Sequence, residues 1–139
     1  MKNNIIKILI GLLVQNPNLF KIIPKKIENL SNKNILGINL FLEIKKICKK
    51  YKKIKTCQIL ELYRNSKKYY IIKKMSCWQH MILKKKIKNV FLDSIKIIYK
   101  QNLENKQNFL INKEKTVGLN KEEKKKLWKI NKLIFKKYK

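Results

Sequence analysis

The sequence predicts an all-α protein, a helical bundle followed by one long helix and a C-terminal helical hairpin. Three observations predict it. Apolar residues recur at three- and four-residue steps through most of the chain. No stretch keeps the two-residue alternation of a strand for any length. The run from about Lys85 to Thr116 has neither proline nor glycine to interrupt a helix. A chain of 139 residues suits one core, or a compact bundle with an appended element, and is too short for two enzyme domains. The expected division is 1–84 for the bundle and 85–139 for the long helix and hairpin.

The elements follow in order. Ile6, Leu9, Ile10, Leu13 and Val14 make one buried stripe on a first helix ending near Gln15. Asn16 then caps, and Pro17 opens, a short helix through Leu19, Phe20 and Ile23 that stops before Pro24. The polar stretch from Lys25 to Asn34 reads as a connection. Leu40, Phe41, Ile44, Ile47 and Cys48 restore helical spacing. Thr56 is expected to cap a helix carrying Ile59, Leu60, Leu62 and Tyr63, and Ser66 one carrying Tyr69, Tyr70, Ile71 and Ile72 toward Trp78. The long helix shows one face of Ile87, Val90, Phe91, Ser94, Ile97 and Ile98, and spans on the order of 45 Å at about 1.5 Å per residue. Gly118 stands where a C-terminal cap belongs. Asn120 with Glu123 begins a last helix through Leu127, Trp128, Ile130, Asn131, Ile134 and Phe135.

Composition bounds the chemistry. Apolar residues are 45% and charged residues 32%, so a core can form despite a net charge of +28. That charge attracts phosphates, yet the lysines are spread along the chain, Arg64 is the only arginine, and Asn, Ile, Lys and Tyr are all over-used. Drift in an A+T-rich coding sequence explains this pattern, with adhesion to nucleic acid at low salt as its by-product. Cys48, Cys57 and Cys77 lack metal-ligand spacing and cannot complete a zinc site with the lone His80; reduced, mostly buried thiols in a cytoplasmic protein are expected. The apolar run from Ile8 to Val14 has no small-residue cleavage site after it and falls far short of the roughly 20 residues that a membrane span needs.

Catalytic parts are missing. The acidic residues Glu28, Glu43, Glu61, Asp93, Glu104, Glu114, Glu122 and Glu123 form no DxD-type pair to hold magnesium. Gly11, Gly37 and Gly118 cannot build a phosphate loop, and no motif links His80 as a base to Ser31, Ser66, Ser76 or Ser94. His80 reads as a surface or boundary residue. The chain by itself is therefore expected to be no enzyme and to carry no catalytic residue, metal or cofactor.

The segment Lys7-Ile8-Leu9-Ile10-Gly11-Leu12-Leu13-Val14-Gln15-Asn16-Pro17-Asn18-Leu19 resembles the start of the C-terminal domain of bacterial DnaG-type primases. The resemblance continues in the same order with Glu28-Asn29-Leu30, Gly37, Leu40-Phe41, Glu43, Thr56, Gln58, Leu60-Glu61 and Tyr63-Arg64. It resumes at Met75-Ser76, Trp78, Phe91 and Asp93-Ser94, then at Thr116, Gly118-Leu119-Asn120, Glu122-Glu123, Leu127-Trp128 and Asn131. It runs from about Lys2 to Lys137.

The resemblance implies a domain whose hairpin docks on the N-terminal collar of a hexameric DnaB-type replicative helicase and recruits a primase for RNA primer synthesis. The implied contacts are Leu127, Trp128, Asn131, Ile134, Phe135 and Lys136. Simple packing of the hairpin is the competing role for Leu127, Trp128 and Ile130, and is the stronger one for Trp128, whereas Ile134 and Phe135, near the chain end where packing thins out, read as an exposed anchor. The family also holds the acidic C-terminal tail of single-strand-binding protein in a basic pocket, which corresponds here to Lys2, Ile6, Lys7, Ile10 and Lys74. Lys7 replaces a more usual arginine and loses its bidentate fork. The alternative reading is a small basic ribosomal or nucleoid protein that binds nucleic acid, against which stand the single Arg64 and the core-like spacing of Tyr69, Tyr70 and Trp78. Met1 is compatible with a free-standing chain and with an excised piece of a primase.

Overall fold

The computed structural model describes the backbone of residues 2–30 and 37–137 and the side chains of 5–27 and 37–135. Six α-helices occur among them: α1 Lys2–Gln15, α2 Ile38–Lys50, α3 Thr56–Leu62, α4 Tyr69–Ser76, α5 Ile87–Thr116 and α6 Lys121–Lys137. Three 3₁₀ segments, Pro17–Ile22, Lys25–Leu30 and Lys84–Lys86, link them, and the described residues contain no strand. The chain forms two compact units, Met1–Lys96 and Ile97–Lys139. The reading from the start of the long helix divides at 84/85, whereas this boundary lies inside α5. Phe91, Ser94 and Ile95 are buried in the first unit, with the Phe91 ring 6.2 Å from Phe41, so the opening turns of α5 belong to the bundle.

Helix α1 is the axis of the first unit, packed against α2, α3, α4 and the first 3₁₀ segment. Leu12 is buried together with the expected Ile6, Leu9, Ile10, Leu13 and Val14, so the helix is covered on more than one stripe. Each such side chain contributes about 1.5–3 kcal/mol through the apolar area it removes from water. Ile38, Phe41, Ile44, Cys48, Ile59, Tyr63 and Ile72 complete the core.

Several local expectations change. Asn16 turns its amide back to the Leu12 carbonyl at 3.2 Å and makes no side-chain cap on the next segment. Lys25–Leu30 is a 3₁₀ segment because Pro24 accepts the Ile27 amide and Ile27 is fully buried; the rest of the expected connection lies outside the described residues. Thr56 is the first residue of α3, and its hydroxyl donates to the Val14 carbonyl at 2.7 Å, which would otherwise lack a partner at the end of α1. Gln58 Oε1 caps instead, accepting the Lys55 amide at 2.8 Å. Ser66 stands two residues before the N-cap of α4, Lys68, its Oγ accepting the Lys68 amide at 3.1 Å.

Exposure also corrects the reading. Ile97 lies on the outer side of α5, since it is two residues from buried Ile95 on a helix. Only Cys48 is buried, and burial pushes its thiol up to about 11; Cys57 lies two residues before buried Ile59 and Cys77 at the end of α4, both exposed. Tyr70 is 75% exposed and Trp78 36%, so the aromatic spacing was not that of a core. Spacing fixes which side chains share a face but not whether another element covers it.

Candidate functional site

The second unit is built on the turn between α5 and α6. Val117 and Gly118 both donate to the Lys113 carbonyl at 2.9 Å, and Gly118 has φ +86°, the left-handed conformation that ends a helix. Asn120 then caps α6: its Oδ1 accepts the Glu123 amide at 2.8 Å, and Glu123 Oε1 accepts the Asn120 amide at 3.3 Å. The two helices are tied by Lys113 Nζ donating to Glu123 Oε2 and by Gln107 Nε2 donating to Asn131 Oδ1. The Lys113 ammonium holds the Glu123 carboxyl below the ordinary carboxylate value.

These ties fix the rotation of α6, and of the six residues implied for docking Leu127 and Ile134 lie on one stripe and Trp128 and Phe135 on another. Ile130 is buried, and Leu127 and Ile134, three before and four after it, are half-buried beside it. This stripe closes the hairpin together with buried Leu110 of α5. Trp128 and Phe135 are seven residues apart and therefore nearly superimposed on the next stripe, 61% and 65% exposed. Lys132 Nζ lies 4.5 Å from the centroid of the Trp128 ring, within cation–π range. Asn131 is exposed between the stripes and accepts from Gln107. The side chain of Lys136 lies outside the described residues. Packing is thus the role of Ile130 and Leu127 but not of Trp128, contrary to the weighting drawn from sequence. Sequence reasoning missed Phe109, Val117 and Leu133, also exposed in this unit; Leu133 keeps helical spacing with Ile130, so spacing gave no signal of its exposure.

The first unit carries a separate feature, an open cavity of about 890 Å³ lined by Lys7, Ile8, Tyr70, Lys73, Lys74, Met75, Cys77 and Trp78. Its wall is positioned from α1. Gln15 Nε2 donates to the Met75 and Trp78 carbonyls at 3.0 and 2.8 Å, which holds the end of α4 against α1. Gly11 leaves room for the Trp78 ring, because a Cβ there would stand 2.8 Å from Trp78 Cε3. Of the residues implied for an acidic tail, the structure brings Lys7 and Lys74 together at the cavity. Ile6 and Ile10 are buried against the Gly37 side and do not line it, while Ile8 supplies the aliphatic wall. The Lys2 side chain lies outside the described residues.

Beside Trp78, His80 is half-buried, its Nδ1 accepting the Ile82 amide at 2.9 Å, while Met81 between them adopts φ 60°. This arrangement shapes the link to α5. No group of three or more His, Cys, Asp or Glu side chains among the described residues is placed to hold a metal ion. No described helix is long and apolar enough to cross a membrane.

Residues 6–130 match the family described as DNA primase DnaG DnaB-binding. The chain is 42% identical over 136 residues to the DNA primase of Buchnera aphidicola subsp. Acyrthosiphon pisum (strain APS), covering 98% of this chain and 23% of that protein. It is 36% identical over 137 residues to the DNA primase of Escherichia coli (strain K12), covering 99% of this chain and 23% of that one. The chain therefore spans about a quarter of the length of the curated relatives it matches. The structure resembles the DnaG primase C-terminal domain from Vibrio cholerae with a TM-score of 0.75 and 32% identity, over 96% of this chain and 93% of that chain. By matched length, by identity and by fold, the chain belongs to the DnaB-binding C-terminal domain family of DnaG-type DNA primases.

Proposed function

We propose that this chain docks on the N-terminal domain of a hexameric DnaB-type replicative helicase through the Trp128 and Phe135 face of α6, and thereby holds primase activity at the bacterial replication fork. The observation that carries the reading is family membership combined with two large aromatic side chains exposed on a helix whose neighbouring stripe is already buried. Interface anchors are enriched in tryptophan, and their energy comes from desolvation that the free protein has not yet gained. Lys132 beside Trp128 adds a cation at the rim. Deleting Asn120–Lys139 is expected to abolish co-migration with the helicase N-terminal domain at physiological salt while most of the helicity remains. Co-migration by the deleted chain would remove the hairpin from this role.

A second binding role rests on the cavity beside α1. Three lysines, Lys7, Lys73 and Lys74, surround apolar walls from Ile8, Met75 and Trp78, a combination suited to a peptide with acidic residues and an apolar terminus. The acidic C-terminal tail of single-strand-binding protein has this chemistry. Charge reversal at Lys7 and Lys74 is expected to eliminate binding of such a tail peptide without changing helicase docking; retention of peptide binding would remove the cavity from this role.

A further inference from the structure

A third surface is formed by the turn between α2 and α3. Lys49, Lys50, Lys52, Lys53 and Lys55 are all exposed and surround Tyr51, itself 45% exposed. The turn is held by the Tyr51 amide donating to the Ile47 carbonyl and the Ile54 amide donating to the Tyr51 carbonyl, both at 2.9 Å. Gln58 Oε1 fixes the far end at Lys55. Beside the ring lies an open cavity of about 450 Å³ lined by Tyr51, Lys52, Lys53, Ile54, Gln58 and Leu62, with no acidic residue. The nearby Glu61 is paired with Arg64 at 3.1 Å.

We infer that this turn binds single-stranded nucleic acid, with Tyr51 stacking one base and Lys52, Lys53 and Lys55 facing the backbone phosphates. Lys49 and Lys50 have another role, complementing the carbonyl end of α2, and Lys50 Nζ lies 5.4 Å from the Tyr51 ring. The lysines beyond the helix end have no such role. A lysine cluster alone gives charge adhesion to any polyanion. An exposed ring beside a cavity that Ile54 and Leu62 also line adds a face on which an unpaired base can stack, and a base inside a duplex cannot reach it. This separates the turn from Lys84–Lys86, an equally basic segment whose neighbouring exposed side chains, Met81 and Leu83, are not aromatic.

The test is fluorescence anisotropy of the whole chain with a labelled oligothymidylate and with a duplex of equal length, over a salt series. Tyr51→Ala is expected to weaken oligothymidylate binding about fivefold or more with an unchanged salt slope, and Tyr51→Phe to retain wild-type affinity. Lys52→Gln with Lys53→Gln should reduce the slope by about 1.4, since each single-strand phosphate contact contributes about 0.7. Circular dichroism confirms that each variant is folded. The inference is overturned if Tyr51→Ala binds as wild type, if Lys84→Gln with Lys85→Gln costs as much as the Lys52 and Lys53 pair, or if the duplex binds as tightly as the single strand. None of these outcomes depends on helicase docking.

Discussion

Helix α1 of the first unit and helix α6 of the second use apolar residues in opposite ways. In the first, α1 is buried on more than one stripe and its neighbours close over it, so its aliphatic side chains serve stability. In the second, Leu110 and Ile130 close the hairpin, while Phe109, Val117, Trp128, Leu133 and Phe135 stay exposed. Polar ties compensate there: the Asn120–Glu123 capping box, Lys113 to Glu123 and Gln107 to Asn131. A hairpin held by capping and hydrogen bonds leaves large apolar side chains on its second helix for a partner, whereas the bundle folds on its buried aliphatic side chains and exposes others, among them Tyr51, Tyr70 and Trp78, at its two cavities.

The comparison breaks most readily at Phe41. Phe41→Ala removes a fully buried ring that meets Phe91 and is expected to destabilise the first unit by about 3–5 kcal/mol in urea unfolding. Trp128→Ala, which removes a larger side chain, should cost within about 0.5 kcal/mol by the same measurement. Similar losses at the two positions would show that Trp128 is structural after all.

Gly118 sharpens the contrast from the backbone side. With φ +86° and nothing near the position of an added Cβ, Gly118→Ala meets no steric clash and pays only the left-handed conformation, about 1–2 kcal/mol. Thermal unfolding should locate that loss in the hairpin, with amide-exchange protection in α1 unchanged. Loss of protection in α1 would show that the two units do not respond separately.

The smallest effect concerns Glu43. It accepts from Lys68 Nζ at 2.7 Å and from the Tyr63 hydroxyl at 2.9 Å, joining α2 to the chain around α3 and α4. The Lys68 hydrogen bond holds its carboxyl below the ordinary 4.5 against the opposing effect of burial. A depressed carboxyl stabilises the fold above its unfolded value, and this is lost as pH falls through the folded one. Stability of the first unit should therefore decline below about pH 4.5, and less so in Glu43→Gln. The partial exposure of the pair keeps the difference small; equal acid sensitivity in the two proteins would remove Glu43 as a contributor.

How much of this was legible in the sequence depends on the kind of signal. The all-α class, the buried stripe of α1, the long helix and the Gly118–Asn120–Glu123 turn followed from periodicity and capping chemistry, which are local. Thr56 was misread as a cap, and Asn16 holds the expected N-cap position but turns its side chain to Leu12, because a hydroxyl or amide near a helix start can also satisfy a carbonyl at the end of the preceding or another helix, and only the fold brings Val14 to Thr56. Trp128, Tyr70 and Trp78 were taken as core because spacing groups side chains without showing what lies over them. Lys7 and Lys74 emerged from the lysine excess through resemblance alone, and Ile6 and Ile10 proved to face the Gly37 side. The aromatic turn at Tyr51 was hidden for the same reason: one lysine-rich turn looks like another until its exposed ring and the cavity beside it are placed side by side.

The docking role of α6 is tested most directly by calorimetric titration of the helicase N-terminal domain with the Trp128→Ala, Phe135→Ala double variant at physiological salt. Affinity is expected to fall about 30-fold or more, the equivalent of about 2 kcal/mol from hot-spot loss, with helicity and thermal stability unchanged. Wild-type affinity in the folded double variant would contradict the assignment of this face to the helicase.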